Sequence, residues 1–130
     1  MFATNAELQA RIEVVMSTTL SAAQLTVLGE RNTAAYNTLI GALVKRGCSK
    51  TQADTWVDGK AFQLDIAFYW LMSDLGWYKG SELEHDDLAK YNRVAELETV
   101  ELLDSDGDQL ATTTSGFGIR SVDLNDAFER

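Results

Sequence analysis

Apolar side chains recur along most of this chain at helical spacing. Thr4 and Glu7 are spaced as a reciprocal N-terminal cap, and Leu8, Ile12 and Val15 follow on one face, which predicts a short first helix. Ser21 and Gln24 repeat the cap ahead of Leu25 and Leu28. Asn32 offers a further start, with Tyr36, Leu39, Ile40 and Leu43 as its stripe and Gly47, after Lys45 and Arg46, as its end. A third cap of the same type, Ser49 with Gln52, opens a helix expected to run to Gly76, roughly 35 to 40 Å long at about 1.5 Å per residue. Leu83, Leu88, Tyr91, Val94, Ala95 and Leu97 predict a fourth helix behind an acidic start.

After residue 98 the pattern changes. Two short β-favouring runs flank Asp106 and Gly107, a common hairpin turn pair, and the remainder mixes glycines with isolated apolar residues. The expected fold is mainly α: a small bundle of about four helices over 1–98, a β-hairpin over 99–113 and an extended arm over 114–130.

The most apolar stretch is FQLDIAFYWLMSDLGW, residues 62–77. Its uninterrupted run IAFYWLM is far shorter than the about 20 residues a membrane helix needs, and Asp65 and Asp74 flank it. On a regular helix, Ala53, Val57, Ala61, Leu64, Phe68, Leu71 and Leu75 form one stripe, expected to face the core. Phe62, Ile66, Tyr69 and Trp70 project from nearly the opposite side. This second face either packs within the bundle or forms a subunit interface, with Trp77 and Tyr78 as rim anchors in the latter case.

With 130 residues and 45% hydrophobic content, the chain suits one domain with its own core. Twenty acidic residues against eleven basic ones give a formal net charge of -9, which disfavours a stable grip on phosphate backbone or an anionic membrane and leaves a basic partner open. Cys48 is the single cysteine, so no intramolecular disulfide forms, and a buried apolar role is expected for it. Proline is absent, which suits a chain built from helices. The N-terminus lacks the basic leader and apolar core of a signal peptide, and the protein is expected to be made in the cytoplasm.

Candidate chemistry is sparse. DSDGD at 104–108 fails the EF-hand pattern, because Leu102 and Thr113 would fall at the first and last ligand positions; a solvated turn is expected. EHDD at 84–87 places carboxylates around His85, the arrangement of a surface helix start. Lys45, Arg46 and Lys50 near Cys48 could lower a thiol pKa only if that thiol were exposed. No catalytic residue, cofactor or metal is expected. The arm carries Phe117, Ile119, Arg120, Val122 and Leu124 beside glycines, a mix able to extend and lay apolar anchors into a neighbour's groove.

The order of elements, with LIGALVKRG, the DIAFYWL segment and YNRVAEL leading into VELLDSDG, resembles the small head-tail connector (adaptor, or head-completion) proteins of tailed bacteriophages over roughly residues 1–110. The resemblance implies a structural virion protein, made in the host cytoplasm and placed at the head-tail junction. It implies a homo-oligomeric ring that docks the portal protein on one side and tail-side proteins on the other, with DNA passing unbound. A runner-up of another class is a monomeric acidic binding module, a nucleic-acid mimic that occupies a basic surface on a partner.

Overall fold

The computed structural model describes residues 1–80 and 85–111. Its helices are α1 (Asn5–Met16), α2 (Ala22–Lys45), α3 (Lys50–Ala53), α4 (Gly59–Tyr69) and α5 (His85–Leu88). A π-helical turn at Trp70–Asp74 extends α4, and 3-10 turns occupy Trp77–Gly80, Ala89–Tyr91 and Val94–Glu98. The fold is mainly α, as the spacing predicts.

Local capping places the helix starts. The Thr4 hydroxyl accepts from the Glu7 amide while the Glu7 carboxylate accepts from the Thr4 amide, and Ser21 with Gln24 does the same at α2. Ser49 caps α3 through the Gln52 amide. Between α1 and α2 the chain reverses at Ser17, which adopts a left-handed φ of 54°, and the Glu13 carboxylate takes up the Leu20 amide at 2.9 Å.

Asn32 starts no new helix. It lies inside α2, fully buried, on a stripe with Leu28, Ala35, Leu39 and Leu43. The pairing of α2 with α4 is the most extensive in the bundle, and α1 packs across both.

The long helix expected from Ser49 to Gly76 is instead broken. After α3 the Val57 amide donates to the Leu103 carbonyl at 2.9 Å, so it is lost to any helical ladder, and the Trp56 indole donates to the Glu101 carbonyl at 3.2 Å. Trp56 is buried against Phe62, with ring centroids 4.7 Å apart. When the helix resumes at Gly59 its register has changed. The stripe expected to face the core is divided: Ala53, Phe68 and Leu71 are buried and Leu64 is half-buried, while Val57, Ala61 and Leu75 are exposed. The buried face of α4 is Phe62, Gln63, Ile66, Ala67 and Phe68, continued by Leu71 and Met72.

The fourth helix is likewise not continuous. Short α5 passes into the Ala89–Tyr91 turn, Asn92 leaves helical geometry, and Val94–Glu98 forms a separate 3-10 turn whose buried anchor is Leu97. Leu83 lies outside the described residues.

The expected β-hairpin over 99–113 is not supported: no strand forms among the described residues. What remains is one antiparallel bridge, Leu103 to Gln109, around a turn in which Gly107 takes a φ of +84°. The Leu110 amide donates to the Leu102 carbonyl at 2.8 Å, and both leucines are buried. This segment serves as a clip against Trp56 and Val57. Residues 112–113 and the arm lie outside the described residues.

Candidate functional site

Of the candidate interface residues, Phe62 and Ile66 are 2% and 1% exposed within the chain itself. They are core side chains with no surface to offer a partner. Tyr69, Trp70 and Trp77 are half-buried and pack on the margin of that core.

The π-helical turn shapes this margin. The Leu75 amide donates to the Trp70 carbonyl at 3.3 Å, one residue wider than an α-helical bond, which swings Leu75 out to 38% exposure. Leu75 and Trp77 then line an open groove of about 460 Å³ with Ala23, Val27 and Arg31 of α2. Arg31 makes no ion pair among the described residues.

Two networks missed by sequence reasoning hold the bundle. In the first, Gln63 and Asn32 face each other in full burial. Gln63 Nε2 donates to Asn32 Oδ1 at 2.7 Å and to the Ala3 carbonyl at 3.0 Å, while Gln63 Oε1 accepts from the Phe2 and Ala3 amides. Asn32 Nδ2 donates to the Ala3 carbonyl and to Asn5 Oδ1. Both side-chain amides are satisfied at both ends, so they fasten the N-terminal residues to α2 and α4.

In the second, Arg11 and Arg93 share the carboxylate of Asp65, at 2.8 and 2.9 Å. The Arg11 guanidinium lies over the Phe68 and Tyr91 rings and that of Arg93 over Phe62 at 3.7 Å. Burial disfavours the Arg93 charge, but its bonds to Asp65 and Glu96 more than offset this and raise its pKa. Both cations are spent inside the molecule. The signal for the amides was present as a polar residue inside each apolar stripe; for the arginines no local signal exists.

At the clusters considered for chemistry, Cys48 is buried at 3% exposure and desolvation raises its pKa, the opposite of an activated thiol. Asp104, Asp106 and Asp108 gather at one turn, where the Asp104 carboxylate accepts from the Asp106 and Asp108 amides. That is how an aspartate closes its own turn. The Glu84 end of the acidic run, the side chains of His85 and Tyr78, and the arm residues Phe117, Ile119, Arg120, Val122 and Leu124 lie outside what the structure describes.

Buried Tyr36 and exposed Asp54 and Lys50 form a small titratable group. The Tyr36 hydroxyl donates to the Asp54 carboxylate at 2.5 Å and accepts from Lys50 at 3.3 Å. The bond from Tyr36 lowers the Asp54 pKa and raises that of the phenol. The geometry accounts for the three as a link between α2 and α3.

A second groove, of about 530 Å³, runs between the C-terminal half of α2 and the Val94–Glu98 turn. Thr38, Ala42, Lys45 and Arg46 form one wall, Val94, Leu97 and Glu98 the other. Arg46 ties the walls together by donating to the Leu97 and Val100 carbonyls at 3.1 and 2.6 Å. Among the described residues no helix is long and apolar enough to cross a membrane. Comparison of the chain with protein-family models, curated proteins and solved structures finds no match.

Proposed function

We propose that this chain is a structural assembly protein of the head-tail connector type, forming a homo-oligomeric ring between portal and tail through which DNA passes. It performs no catalysis, and its work is to present surfaces. The observation that carries this reading is the apolar margin made by Leu75 and Trp77 beside Val27 and Ala23, where the π-helical turn holds a leucine out next to a half-buried tryptophan. Tyr69 and Trp70, half-buried on the same stretch, supply further aromatic surface of the kind that anchors subunit contacts. The acidic surplus suits a channel wall, since carboxylates facing DNA repel its phosphates and let it slide.

Light scattering across a concentration series, with electron microscopy of the same fractions and of particles from the producing organism, tests the proposal. Rings, or this chain located between capsid and tail, support it. A compact monomer absent from virions overturns it.

The second reading, a monomeric acidic module for a basic partner, draws on where the basic side chains are used. Arg11 and Arg93 pair with Asp65, Lys60 with Glu7 and Lys50 with Asp54, while Arg46 is held by carbonyls. Much of the positive charge is therefore engaged inside the chain. Capture by a basic partner that weakens steeply with salt, together with a monomeric mass, selects this reading over the first.

A further inference from the structure

We propose that Gln63, Asn32 and Gly59 form a peptide-binding slot for an extended segment in which an aromatic residue is followed by alanine, and that residues 1–3 fill it in cis as a displaceable ligand. The ligand in trans is such a segment exposed on a partner protein. A ring and a monomer carry the same slot, so the proposal does not rest on the assembly reading.

The slot reads backbone. Gln63 and Asn32 are fully buried, yet both turn their side-chain amides on the peptide units of the N-terminal segment. Gln63 Oε1 accepts from the Phe2 and Ala3 amides at 3.1 and 3.3 Å, while Gln63 Nε2 and Asn32 Nδ2 donate to the Ala3 carbonyl at 3.0 and 3.1 Å. Donors and acceptors are matched over two consecutive residues, which is how main-chain bonds supply affinity to an extended peptide while pockets supply selectivity.

The three positions differ in what they admit. Met1 is 58% exposed, so the first is open. Phe2 rests on Gly59 and meets the Tyr36 ring edge-on, so the second takes a flat ring. Ala3 is 1% exposed, so the third takes a small side chain.

Residues 1–3 leave the slot without unwinding a helix. They precede α1, whose start is capped independently by Thr4 and Glu7, and among the described residues no backbone group bonds to them. So local an opening requires less free energy than global unfolding. An incoming segment competes with a tethered one at an effective concentration on the order of 1 mM, which keeps weak ligands out.

The test uses full chains and a peptide of sequence MFAGG with a C-terminal fluorophore, with MSAGG as control. Phe2→Ser vacates the aromatic position in cis. Fluorescence polarisation should show MFAGG binding this chain at least about tenfold more tightly than the native chain, where the tethered segment competes, and MSAGG binding neither. Adding Gly59→Ala to Phe2→Ser should weaken MFAGG at least about tenfold, because the new Cβ fills the seat of the ring. Equal affinity for the native and Phe2→Ser chains, or affinity untouched by Gly59→Ala, overturns the proposal. So does an absence of binding at about 1 mM peptide to a Phe2→Ser chain with native circular dichroism. If that variant does not fold, hydrogen exchange in the native protein decides. The Ala3 amide should exchange at least about tenfold faster than the Leu39 and Ile66 amides, and exchange at their rate would show that the segment leaves only when the bundle unfolds, which also overturns the proposal.

Discussion

The ring of Phe2 lies flat against Gly59, so close that a Cβ at residue 59 would fall 2.4 Å from two ring carbons. No real pair of carbons tolerates that separation, so the absence of a side chain at the first residue of α4 is what admits Phe2, which also meets the Tyr36 ring edge-on at 5.7 Å. Gly59→Ala should therefore destabilise the protein by about 1 to 2 kcal/mol through displacement of the ring. In a Phe2→Ala background the sign should reverse, because alanine is favoured over glycine in a helix by up to about 1 kcal/mol. Urea denaturation of the two single variants and the double variant measures this cycle. An additive outcome would mean that Phe2 and Gly59 do not constrain each other.

Gln63 is the hub of the buried amide network. Replacing it with methionine preserves length and apolar volume but strips partners from the Phe2 and Ala3 amides and from Asn32 Oδ1. Leaving such groups buried and unpaired should destabilise the chain by about 2 to 4 kcal/mol. Replacing Asn32 and Gln63 together by leucine and methionine should cost less than the sum of the single changes, since neither then leaves the other unpaired. Thermal denaturation of all variants provides the comparison; strict additivity would remove the network from the account.

Acid stability should depend on Asp54. Its carboxylate accepts the Tyr36 hydroxyl and lies 3.6 Å from Lys50, and these contacts hold its pKa below the ordinary 3.8. A group with a depressed folded pKa stabilises above its unfolded value, and that contribution fades as pH falls through the folded one. Native protein should lose stability more steeply than Asp54→Asn as pH drops below about 4, while the two should run parallel from pH 5 to 7. Denaturant midpoints measured at each pH test this. Parallel curves down to pH 2 would show that the Tyr36 bond does not perturb the carboxylate.

What could be read from sequence divides by the range of the interaction. The three caps were legible because donor and acceptor are three residues apart, and the turn at Asp106 and Gly107 for the same reason. The break after Ala53 was not, because it depends on Val57 bonding to Leu103 and Trp56 to Glu101, contacts that no local pattern encodes. Past that break the buried face of α4 takes in Phe62 and Ile66 as well as Phe68, while Val57 and Ala61 of the expected stripe lie exposed. Gln63 concealed the true face, since a polar residue in a stripe reads as a boundary until its partner, Asn32, is known to lie 31 residues away. The grooves depend on the same distant contacts: one needs the π-helical turn, and the other needs Arg46 to gather the carbonyls at 97 and 100.

The distinction between core and margin on the aromatic stretch gives the sharpest prediction about assembly. Ile66 is 1% exposed and Leu75 is 38% exposed, although both belong to the stretch 62–77. Ile66→Asp buries a carboxylate with no partner among its apolar neighbours, and should unfold the isolated chain, with a loss of at least about 4 kcal/mol. Leu75→Glu places its charge at the open rim of a groove lined by both Arg31 and Glu30, so the isolated chain should keep its helical content and shift in stability by no more than about 0.5 kcal/mol. In an assembly built on this margin, however, the glutamate must be desolvated against a neighbour, and ring formation should fail. Circular dichroism reports the first property and light scattering the second. A folded Leu75→Glu chain that still forms rings would move the subunit contact away from Leu75 and Trp77.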